Sequence, residues 1–507
     1  MGGCVLTRTE KFLRNSASTA LLQVITMASG FIIPKVMLIV YGSEINGLVS
    51  SITQFINYFM LVEAGLSAAV VYSLYKPLAE KDYSKISSIV TAAKNFYNSS
   101  GYIFVILTIA LSICYPFFIT TTTLTTIEVG ILVLVLGVSG TLEFFTLAKY
   151  RAILTADQKV YVISLASIIA VITNTTVIVV LSYLNVNIVL VRAVALLSVF
   201  LRSYILYFFV KKYYSYLNYN AVPNNEALNK RWDALYLQIL GAVQNGAPII
   251  LATLFTDLKM VSVYVIYNLV ISGVNAILNI FMSGVSATFG DLIVRKEHLR
   301  LQKAYNDFEL MYYLLIAGVY GVTFVMIMPF ILLYTQGVTD TNYNLPWIGF
   351  LMVLNGLMYN IKTPQGMMVI SAGLYKETKW QTTMQALILV IFGIILGKIY
   401  GLYGILIASV LSNIYRDIDL VYFIPKYVTK LSKKITVYRM IAVCILVLIV
   451  YCISLFINVE INNFFIWIII LLITMMYTAI VLLIYMFIFE RDTTRNILIR
   501  IRNLKKR

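Results

Sequence analysis

Residues 463–489 read NFFIWIIILLITMMYTAIVLLIYMFIF, an apolar run that contains no charged residue. An α-helix needs about 20 apolar residues to cross the hydrocarbon core of a bilayer, and this run is long enough. Similar runs recur from about residue 18 onward, with no long polar interval between them. The stretch therefore predicts one membrane-spanning helix among many.

The amino-acid composition agrees with a chain that is largely surrounded by lipid. Of its 507 residues, 60% are hydrophobic and 12% are charged, and the mean hydropathy is +0.87. A soluble chain carries about 25% charged residues, roughly twice as many. We therefore expect an all-α, polytopic membrane protein without a sizeable soluble domain.

Apolar runs of spanning length predict about fourteen transmembrane helices. The pair within residues 381–425 is the hardest to divide, because no long polar segment separates its two halves. The predicted spans are 17–41, 47–75, 97–119, 126–148, 160–183, 188–210, 234–256, 261–289, 307–335, 345–371, 381–398, 401–425, 438–458 and 463–489.

The distribution of basic residues supports this number of spans. With the N-terminus inside, the inner loops and both termini receive most of the 39 Lys and Arg residues, and the outer loops hold only Lys259 and Lys398. Positive charge accumulates on the cytoplasmic side of membrane proteins, so both termini are expected there. The net charge of +17 then reflects topology and contact with anionic membrane lipids, not nucleic-acid binding.

An internal repeat is visible at an offset of about 216 residues. SVFLRSYILYFFVKKY, from Ser198, resembles SNIYRDIDLVYFIPKY, from Ser412, and the match superposes Arg202 on Arg416. Six spans per repeat make both copies enter the membrane in the same direction, as in transporters with parallel repeats. We expect two pseudo-symmetric six-helix lobes and two C-terminal helices: an N-lobe at 1–215, a C-lobe at 216–430, two helices at 431–490 and a basic cytoplasmic tail at 491–507.

Local motifs point to a known transporter family. The first span contains GFIIPKVMLIVYGSEINGL (30–48), the second contains EAGLSAAVVYSLY (63–75), and YRAILTADQKVY (150–161) follows the fourth. Together with the arrangement of six, six and two spans, these motifs resemble the oligosaccharide flippases of the polysaccharide transporter (Wzx-type) family. That family belongs to the multidrug/oligosaccharidyl-lipid/polysaccharide (MOP) superfamily. The resemblance covers residues from about 15 to about 430.

The resemblance implies a non-enzymatic function. Such flippases move undecaprenyl-diphosphate-linked repeat units of O-antigen lipopolysaccharide or capsule across the bacterial inner membrane by alternating access. The implied partners are this glycolipid, membrane lipids, and polysaccharide polymerase or assembly proteins, and no cofactor is expected. Two alternatives from the same superfamily stay open: a MATE-like cation-coupled exporter of small molecules, and a lipid II flippase.

Ionisable groups inside predicted spans are candidate functional residues, because burying them in lipid is unfavourable. Lys35 follows Pro34, which cannot donate a backbone hydrogen bond and is expected to loosen the helix there. A lysine is a compact cation suited to phosphate. Glu63 in the second span could pair with Lys35 or another cation, take up a proton, or form a structural hydrogen bond. In the family that the chain resembles, these spans line a cationic central cavity.

Three further residues complete the predicted substrate cavity. Lys362 precedes Pro364 in the tenth span and repeats the pattern of a cation near a helix break. Gln244 and Asn245 in the seventh span could hold a sugar or phosphate, although hydrogen bonding between helices explains them equally well.

Five charged residues are candidates for a cytoplasmic gate or for structural roles. Arg151, Asp157 and Lys159 lie at the predicted inner mouth, where cations could collect an anionic substrate or serve topology alone. The symmetry mates Arg202 and Arg416 are better explained by packing. Asp417 and Asp419 could neutralise Arg416.

The sequence argues against several other functions. The single histidine, His298, lies in a predicted cytoplasmic loop, and the four cysteines are scattered, so no metal site is expected. The sequence contains no GxxxxGK[ST] motif, which would indicate an ATP-driven motor. The predicted outer loops are short and carry only four Asp and Glu residues in all, unlike the large outer loops of membrane-embedded glycan polymerases and ligases.

A reporter fused after residue 507 tests the predicted topology. We expect an alkaline phosphatase fusion to be inactive and a green fluorescent protein fusion to be bright, because the C-terminus should lie in the cytoplasm. Alkaline phosphatase activity at this position would contradict an even number of spans. A fusion in the predicted outer loop after residue 398 serves as the positive control for that enzyme.

Overall fold

The computed structural model describes residues 8–63, 66–224, 231–282, 285–456, 459–491 and 493–495. These residues form α-helices joined by short turns, and no β-strand occurs among them. The helices are α1 (Arg8–Phe59), α2 (Leu66–Glu80), α3 (Tyr83–Phe118), α4 (Thr126–Leu142), α5 (Ala148–Ala156), α6 (Val160–Tyr183), α7 (Ile188–Ala195), α8 (Leu197–Tyr213), α9 (Arg231–Phe255), α10 (Leu258–Met282), α11 (Val285–Val294), α12 (His298–Tyr334), α13 (Pro346–Ile361), α14 (Thr363–Ser371), α15 (Lys379–Tyr400), α16 (Leu402–Ile424), α17 (Lys433–Ser454) and α18 (Phe464–Phe489).

The helices confirm the predicted all-α membrane architecture. Each of the fourteen predicted spans overlaps at least one helix. Eleven helical stretches of the described chain are long and apolar enough to cross a membrane. One of them, Leu13–Glu63, contains the first predicted span and more than half of the second. The observed helices therefore agree with about fourteen crossings.

Helix starts follow local capping signals in the sequence. The Asp82 side chain accepts a hydrogen bond from the backbone N–H of Lys85 at the start of α3. Thr125 and Glu128 form a reciprocal capping box at the start of α4. Such side chains satisfy backbone donors that the first helical turn leaves without a partner.

The first two spans are joined by a sharp bend instead of a loop. Gly42 has φ 82° and ψ 175°, and it is the one residue of α1 with non-helical angles. Glycine adopts this conformation readily because it lacks a Cβ atom. Pro34 lies inside the helix and keeps helical angles, and the loosening of the turn before it stays a prediction. The interruption lies eight residues further along.

Several predicted spans are broken helices. The second ends in a 3₁₀ turn at Met60–Glu63 before α2 begins. The fourth contains a π-helical turn at Glu143–Leu147, between α4 and α5. The tenth is interrupted at Lys362, between α13 and α14. Breaks and π-turns of this kind are frequent at functional sites of membrane transporters.

The chain divides into two compact units, Met1–Ser262 and Val263–Arg507. In the first unit, α1 packs against α6, and α3 packs against α4. Its core contains fully buried apolar side chains such as Leu48, Ile52 and Phe104. The boundary between the two compact units lies inside α10. The boundary between the two lobes near residue 215 was inferred from the sequence repeat and stays a prediction.

The second unit has its own tightly packed helices. The hairpin of α15 and α16 turns at Gly401, whose φ of 56° suits glycine, and α16 also packs against α13. The two C-terminal helices α17 and α18 both pack against α12. These helices therefore belong to this unit. Most of the predicted basic tail, residues 496–507, lies outside the described residues.

The contact between α1 and the start of α10 depends on a glycine, which gives a stability prediction. A Cβ atom at Gly47 would lie 1.8 Å from the backbone oxygen of Leu258, whereas a Cβ at Gly30 meets nothing within 4 Å. We expect Gly47→Ala to lower the free energy of unfolding in detergent micelles by about 1–3 kcal/mol, because a backbone atom must move.

Gly30→Ala on the same helix is the matched control. It should leave the free energy of unfolding unchanged or raise it by about 0.5–1 kcal/mol, since alanine favours the helix more than glycine does. Equal melting curves for the Gly47→Ala variant and the wild-type protein would contradict the close approach of α1 and α10.

Candidate functional site

Lys35 lies on α1 within an uninterrupted helical segment. Its side chain is half-buried. The position is therefore compatible with a cation at the edge of a polar space, although the helix break expected beside it lies at Gly42. Its assignment to a substrate cavity stays a prediction.

Glu63 ends the 3₁₀ turn that interrupts the second span. The side chain is half-buried, and its buried Oε2 atom has no hydrogen-bond partner among the described residues. The cation that attracts it is Arg151, and the Glu143 carboxylate repels it. The sequence suggested Lys35 or another cation as the partner, and the attraction to Arg151 favours another cation.

Glu143 is the centre of a partly buried ion cluster in the first unit. One carboxylate oxygen accepts a hydrogen bond from Arg151, and the other accepts one from Arg202. Glu143 is 13% exposed, and Arg202 is 24% exposed. Arg151 and Arg202 share the single negative charge of Glu143. Glu63 adds a second negative charge near Arg151. The cluster is thus close to electrical neutrality.

Glu143 is a residue of the site that was not predicted from the sequence. Glu143 is the one charged residue of the stretch 129–148, which is a recognisable signal, because such a charge needs a partner inside the membrane. Glu143 begins the π-helical turn Glu143–Leu147, which widens the helix there. The turn places this carboxylate between two arginines from other parts of the chain.

The sequence placed Arg151, Asp157 and Lys159 together at the inner mouth. In the structure, Arg151 belongs to the cluster around Glu143, whereas Asp157 and Lys159 pair with each other. Asp157 accepts a hydrogen bond from Tyr214 (2.5 Å) and forms ion pairs with Lys159 (2.8 Å) and Lys11 (3.7 Å). These contacts connect the start of α1, the turn before α6 and the end of α8. The two lysines are partly neutralised, so these contacts favour a structural role.

The ionisation of Asp157 reflects this network. Burial by itself opposes the charged carboxylate, but hydrogen bonds from Lys159 and Tyr214 outweigh that effect and hold the pKa of Asp157 below its ordinary value. Asp157 is therefore negatively charged at neutral pH. Its contribution to stability is present above the ordinary carboxyl pKa and is lost when the pH falls through the lowered value.

Gln244 and Asn245 lie on α9, which packs against α1 and the turn carrying Glu63. Asn245 is exposed, and its amide donates a hydrogen bond to the backbone oxygen of Gly241 (3.0 Å). Gln244 is half-buried. Both amides thus lie on a helix that contacts the turn of Glu63. Their contact with a substrate stays a prediction.

Lys362 occupies the break between α13 and α14. Its ammonium group donates a hydrogen bond to Oδ1 of Asn413 and lies 4.8 Å from the ring centroid of Tyr359. The start of a helix carries free backbone N–H groups and a partial positive charge. Lys362 and the first turn of α14 together make a positive site inside the second unit.

Asp417 supplies a negative charge near Lys362, although the two side chains form no direct ion pair. The residue is 5% exposed, and neither carboxylate oxygen accepts a hydrogen bond from the described residues. Lys362 and Asp417 attract each other electrostatically. Arg416 instead pairs with Asp419 at 2.5 Å. The expectation that both aspartates neutralise Arg416 is therefore wrong for Asp417.

Amide side chains surround Lys362. Asn413 accepts from Lys362 and from Gln385 (3.3 Å), and it donates to Asn355 (2.9 Å). Gln385 and Asn413 are buried. Because buried polar networks are stable when their members find partners, this arrangement holds the lysine in one position. Its neighbour Asp417 is left outside the hydrogen-bond network of the described residues.

A second buried ion cluster in this unit was also missed. Arg439 and Glu309 are each 2% exposed and lie 3.1 Å apart, and Arg439 also pairs with Glu490 at 2.7 Å. Tyr305 and Thr436 donate hydrogen bonds to Glu309. Arg439 lies at the start of the predicted span 438–458, and it joins α17 to α12 and to the end of α18.

Comparison with solved structures identifies the fold. A structure of the lipid II flippase MurJ in an inward closed conformation matches with a TM-score of 0.67 at 15% sequence identity, covering 94% of this chain and 99% of that chain. An inward-facing multidrug resistance MATE family transporter of the MOP superfamily matches with a TM-score of 0.64 at 14% identity, covering 85% and 98%. The chain has the fold of MOP-superfamily transporters.

The MATE multidrug transporter DinF-BH has the same fold, with a TM-score of 0.59 and 16% identity over 83% of this chain and 97% of that chain. No family model and no curated protein sequence matches. The expected superfamily fold is confirmed, and these neighbours are a flippase and transporters rather than enzymes.

A double-mutant cycle tests the Lys362–Asp417 pair. Lys362→Met and Asp417→Asn should each lower the free energy of unfolding by about 3 kcal/mol, because each leaves an uncompensated buried charge. The double variant should be less destabilised than the sum of the two by about 1–3 kcal/mol. Chemical denaturation in mixed micelles measures all four proteins.

The combination of Lys362→Met with Asp419→Asn is the control, since Asp419 pairs with Arg416 instead. We expect these two effects to add. Additive effects of Lys362→Met and Asp417→Asn would show that the two charges do not interact.

Proposed function

We propose that this chain is a flippase that moves a polyprenyl-diphosphate-linked oligosaccharide from the inner to the outer face of a bacterial inner membrane. The observation that carries the proposal is the near-complete superposition on a lipid II flippase, a protein named for a substrate of this kind. Wzx-type flippases, which the sequence motifs resemble, carry glycans on the same type of lipid.

The extent of the structural match favours a flippase over a small-molecule exporter. MurJ covers 94% of this chain, whereas the MATE transporters compared above cover 83% and 85%. Nearly the full length of this chain therefore aligns with the flippase structure. A larger part of the chain has no counterpart in the exporter structures.

Half-buried positive groups supply the chemistry for a diphosphate. Lys35 is half-buried on α1, and Lys362 lies at the start of α14, where helix N–H groups favour anions. Without substrate, Asn413 and Asp417 accompany Lys362. A diphosphate would compete with Asp417 for this lysine, which links substrate binding to a change in the local charge balance.

A protein path is needed because the head group cannot cross lipid by itself. Moving a carboxylate-sized ion from water into a medium of low dielectric constant is opposed by about 20 kcal/mol in Born estimates, and a diphosphate with several sugars is larger and more polar. The polyprenyl tail can stay in the bilayer while the head group passes through the protein.

Two carboxylates are candidates for ion coupling. Oε2 of Glu63 and both oxygens of Asp417 are buried without hydrogen-bond partners in the described part of the chain, so each carboxylate can accept a proton or contact a cation. Each lies near a basic side chain, Arg151 and Lys362 respectively. Protonation of either carboxylate would remove its attraction for that basic neighbour and change the local charge balance.

A lipid II flippase is the second candidate, favoured by the same match to MurJ. Both candidates require cations for a diphosphate and differ in the glycan. Proteoliposomes loaded with a fluorescent polyprenyl-diphosphate oligosaccharide, with lipid II or with a cationic dye separate these functions from drug export.

Lys35→Ala should reduce glycolipid translocation in such proteoliposomes by more than about tenfold, because the predicted cavity would lose a cation that binds diphosphate. Accessibility of the labelled head group to a membrane-impermeant quencher measures the rate. The control is Lys398→Ala, which removes an exposed lysine from the predicted outer end of α15 and should leave the rate unchanged.

Wild-type transport by a correctly folded Lys35→Ala variant would remove Lys35 from the cavity. Transport of the dye, with no movement of either glycolipid, would contradict the proposed function and favour an exporter.

A further inference from the structure

The first unit has a lateral groove that the proposed transport function does not use. It has a volume of about 650 Å³ and lies between the segment around the π-turn, α6 and α8. The aromatic and aliphatic side chains Phe145, Leu197, Phe200 and Leu201 form the apolar part of its wall. Phe200 is 51% exposed, so the groove is open at the side of the unit.

The length of the groove corresponds to one leaflet of a bilayer. Its wall on α8 runs from Leu197 to Tyr207, a rise of about 15 Å at 1.5 Å per residue. The hydrocarbon core of a bilayer is about 30 Å thick, so half of it is about 15 Å. An extended acyl chain of one leaflet therefore fits along this wall.

One end of the groove is positively charged. Lys149 lines it, and its ammonium group lies 5.1 Å from the ring centroid of Tyr150 and 5.7 Å from that of Tyr219. Lys94 lies 5.8 Å from the same Tyr219 ring, and Lys211 lies 5.6 Å from the ring of Tyr207. In the described part of the chain, none of these three lysines forms an ion pair.

Hydroxyl groups complete this polar end. Tyr204 and Tyr207 line the groove and are 62% and 41% exposed, so their hydroxyls are accessible as hydrogen-bond donors. Among the described residues, no carboxylate lines the groove. One lysine and two tyrosines line this end of the apolar groove, and Lys94 and Lys211 each contact a ring that Lys149 contacts or that lines the groove. This set of side chains matches an anionic head group attached to an acyl chain.

We propose that this groove binds one anionic phospholipid molecule, with its phosphate at Lys149 and Tyr207 and an acyl chain against Phe145 and Leu201. Charge complementarity selects an anionic head group, because no acidic residue of the described chain pairs with the lysines. The apolar wall selects a lipid over a soluble phosphate. This inference requires the membrane fold and does not depend on the substrate proposed above.

The bound lipid would support the ion cluster on the other side of the same turn. Thr146 lines the groove and forms a hydrogen bond with Ser203 at 2.9 Å. Thr146 belongs to the π-turn that begins with Glu143, and Ser203 follows Arg202, which binds Glu143. Filling the groove therefore holds in place the two segments that carry this ion pair.

Native mass spectrometry of the full chain, released from detergent micelles, tests the proposal with phosphatidylglycerol and phosphatidylcholine as probes. We expect one preferred phosphatidylglycerol per chain. Lys149→Gln should weaken its binding about fivefold, the contribution of one basic residue near anionic lipid. Lys149→Arg should keep the affinity, because the charge is retained.

Lys76→Gln is the matched control, since Lys76 is an exposed lysine of the same unit that pairs with Glu80 away from the groove. It should bind phosphatidylglycerol as the wild-type protein does. An equal loss in the Lys76 and Lys149 variants would mean general electrostatic attraction and would overturn the site.

Leu201→Trp tests the apolar wall independently, because the larger side chain fills the groove. We expect it to reduce phosphatidylglycerol binding although every charge is retained. Unchanged binding by both Lys149→Gln and Leu201→Trp would overturn the proposal. Displacement of the lipid by millimolar inorganic phosphate, or by a polyprenyl phosphate in preference to phosphatidylglycerol, would also overturn the assignment of the occupant.

Discussion

Pairing of buried charges is the constraint on which this structure depends. A charged side chain inside a membrane is stable when an opposite charge or a set of dipoles accompanies it. Glu143 binds Arg151 and Arg202, Arg439 binds Glu309 and Glu490, and Asp419 binds Arg416. Most of these pairs connect helices that are far apart in the sequence.

Charged groups and helix breaks coincide in this protein. Glu63 ends a 3₁₀ turn, Glu143 begins a π-turn, and Lys362 lies between two helices. A break frees backbone groups and changes the direction of side chains, so it can bring a charge to a partner that a continuous helix would miss. The π-turn serves two features, since it aims Glu143 at the arginines and lines the lateral groove with Phe145.

Two carboxylates depart from full pairing. Asp417 and Glu63 each have buried oxygens without hydrogen bonds to the described residues, and each lies near a basic group of its own unit. Incomplete satisfaction of a buried polar group is unfavourable for stability and is therefore informative about function. In the proposed flippase, these are the groups whose charge can change during a transport cycle.

The sequence by itself determined the helical class, the membrane setting and the approximate limits of the spans, because length and hydropathy act locally along the chain. It also identified Lys362 at a helix break, since Pro364 is visible nearby. Only the tertiary structure decided which charges meet. It assigned Asp417 to Lys362, gave Arg151 and Arg202 a shared partner in Glu143, and buried Arg439. Such pairings join residues distant in sequence, and the spacing of residues along one helix carries no record of which neighbouring helix will supply the opposite charge.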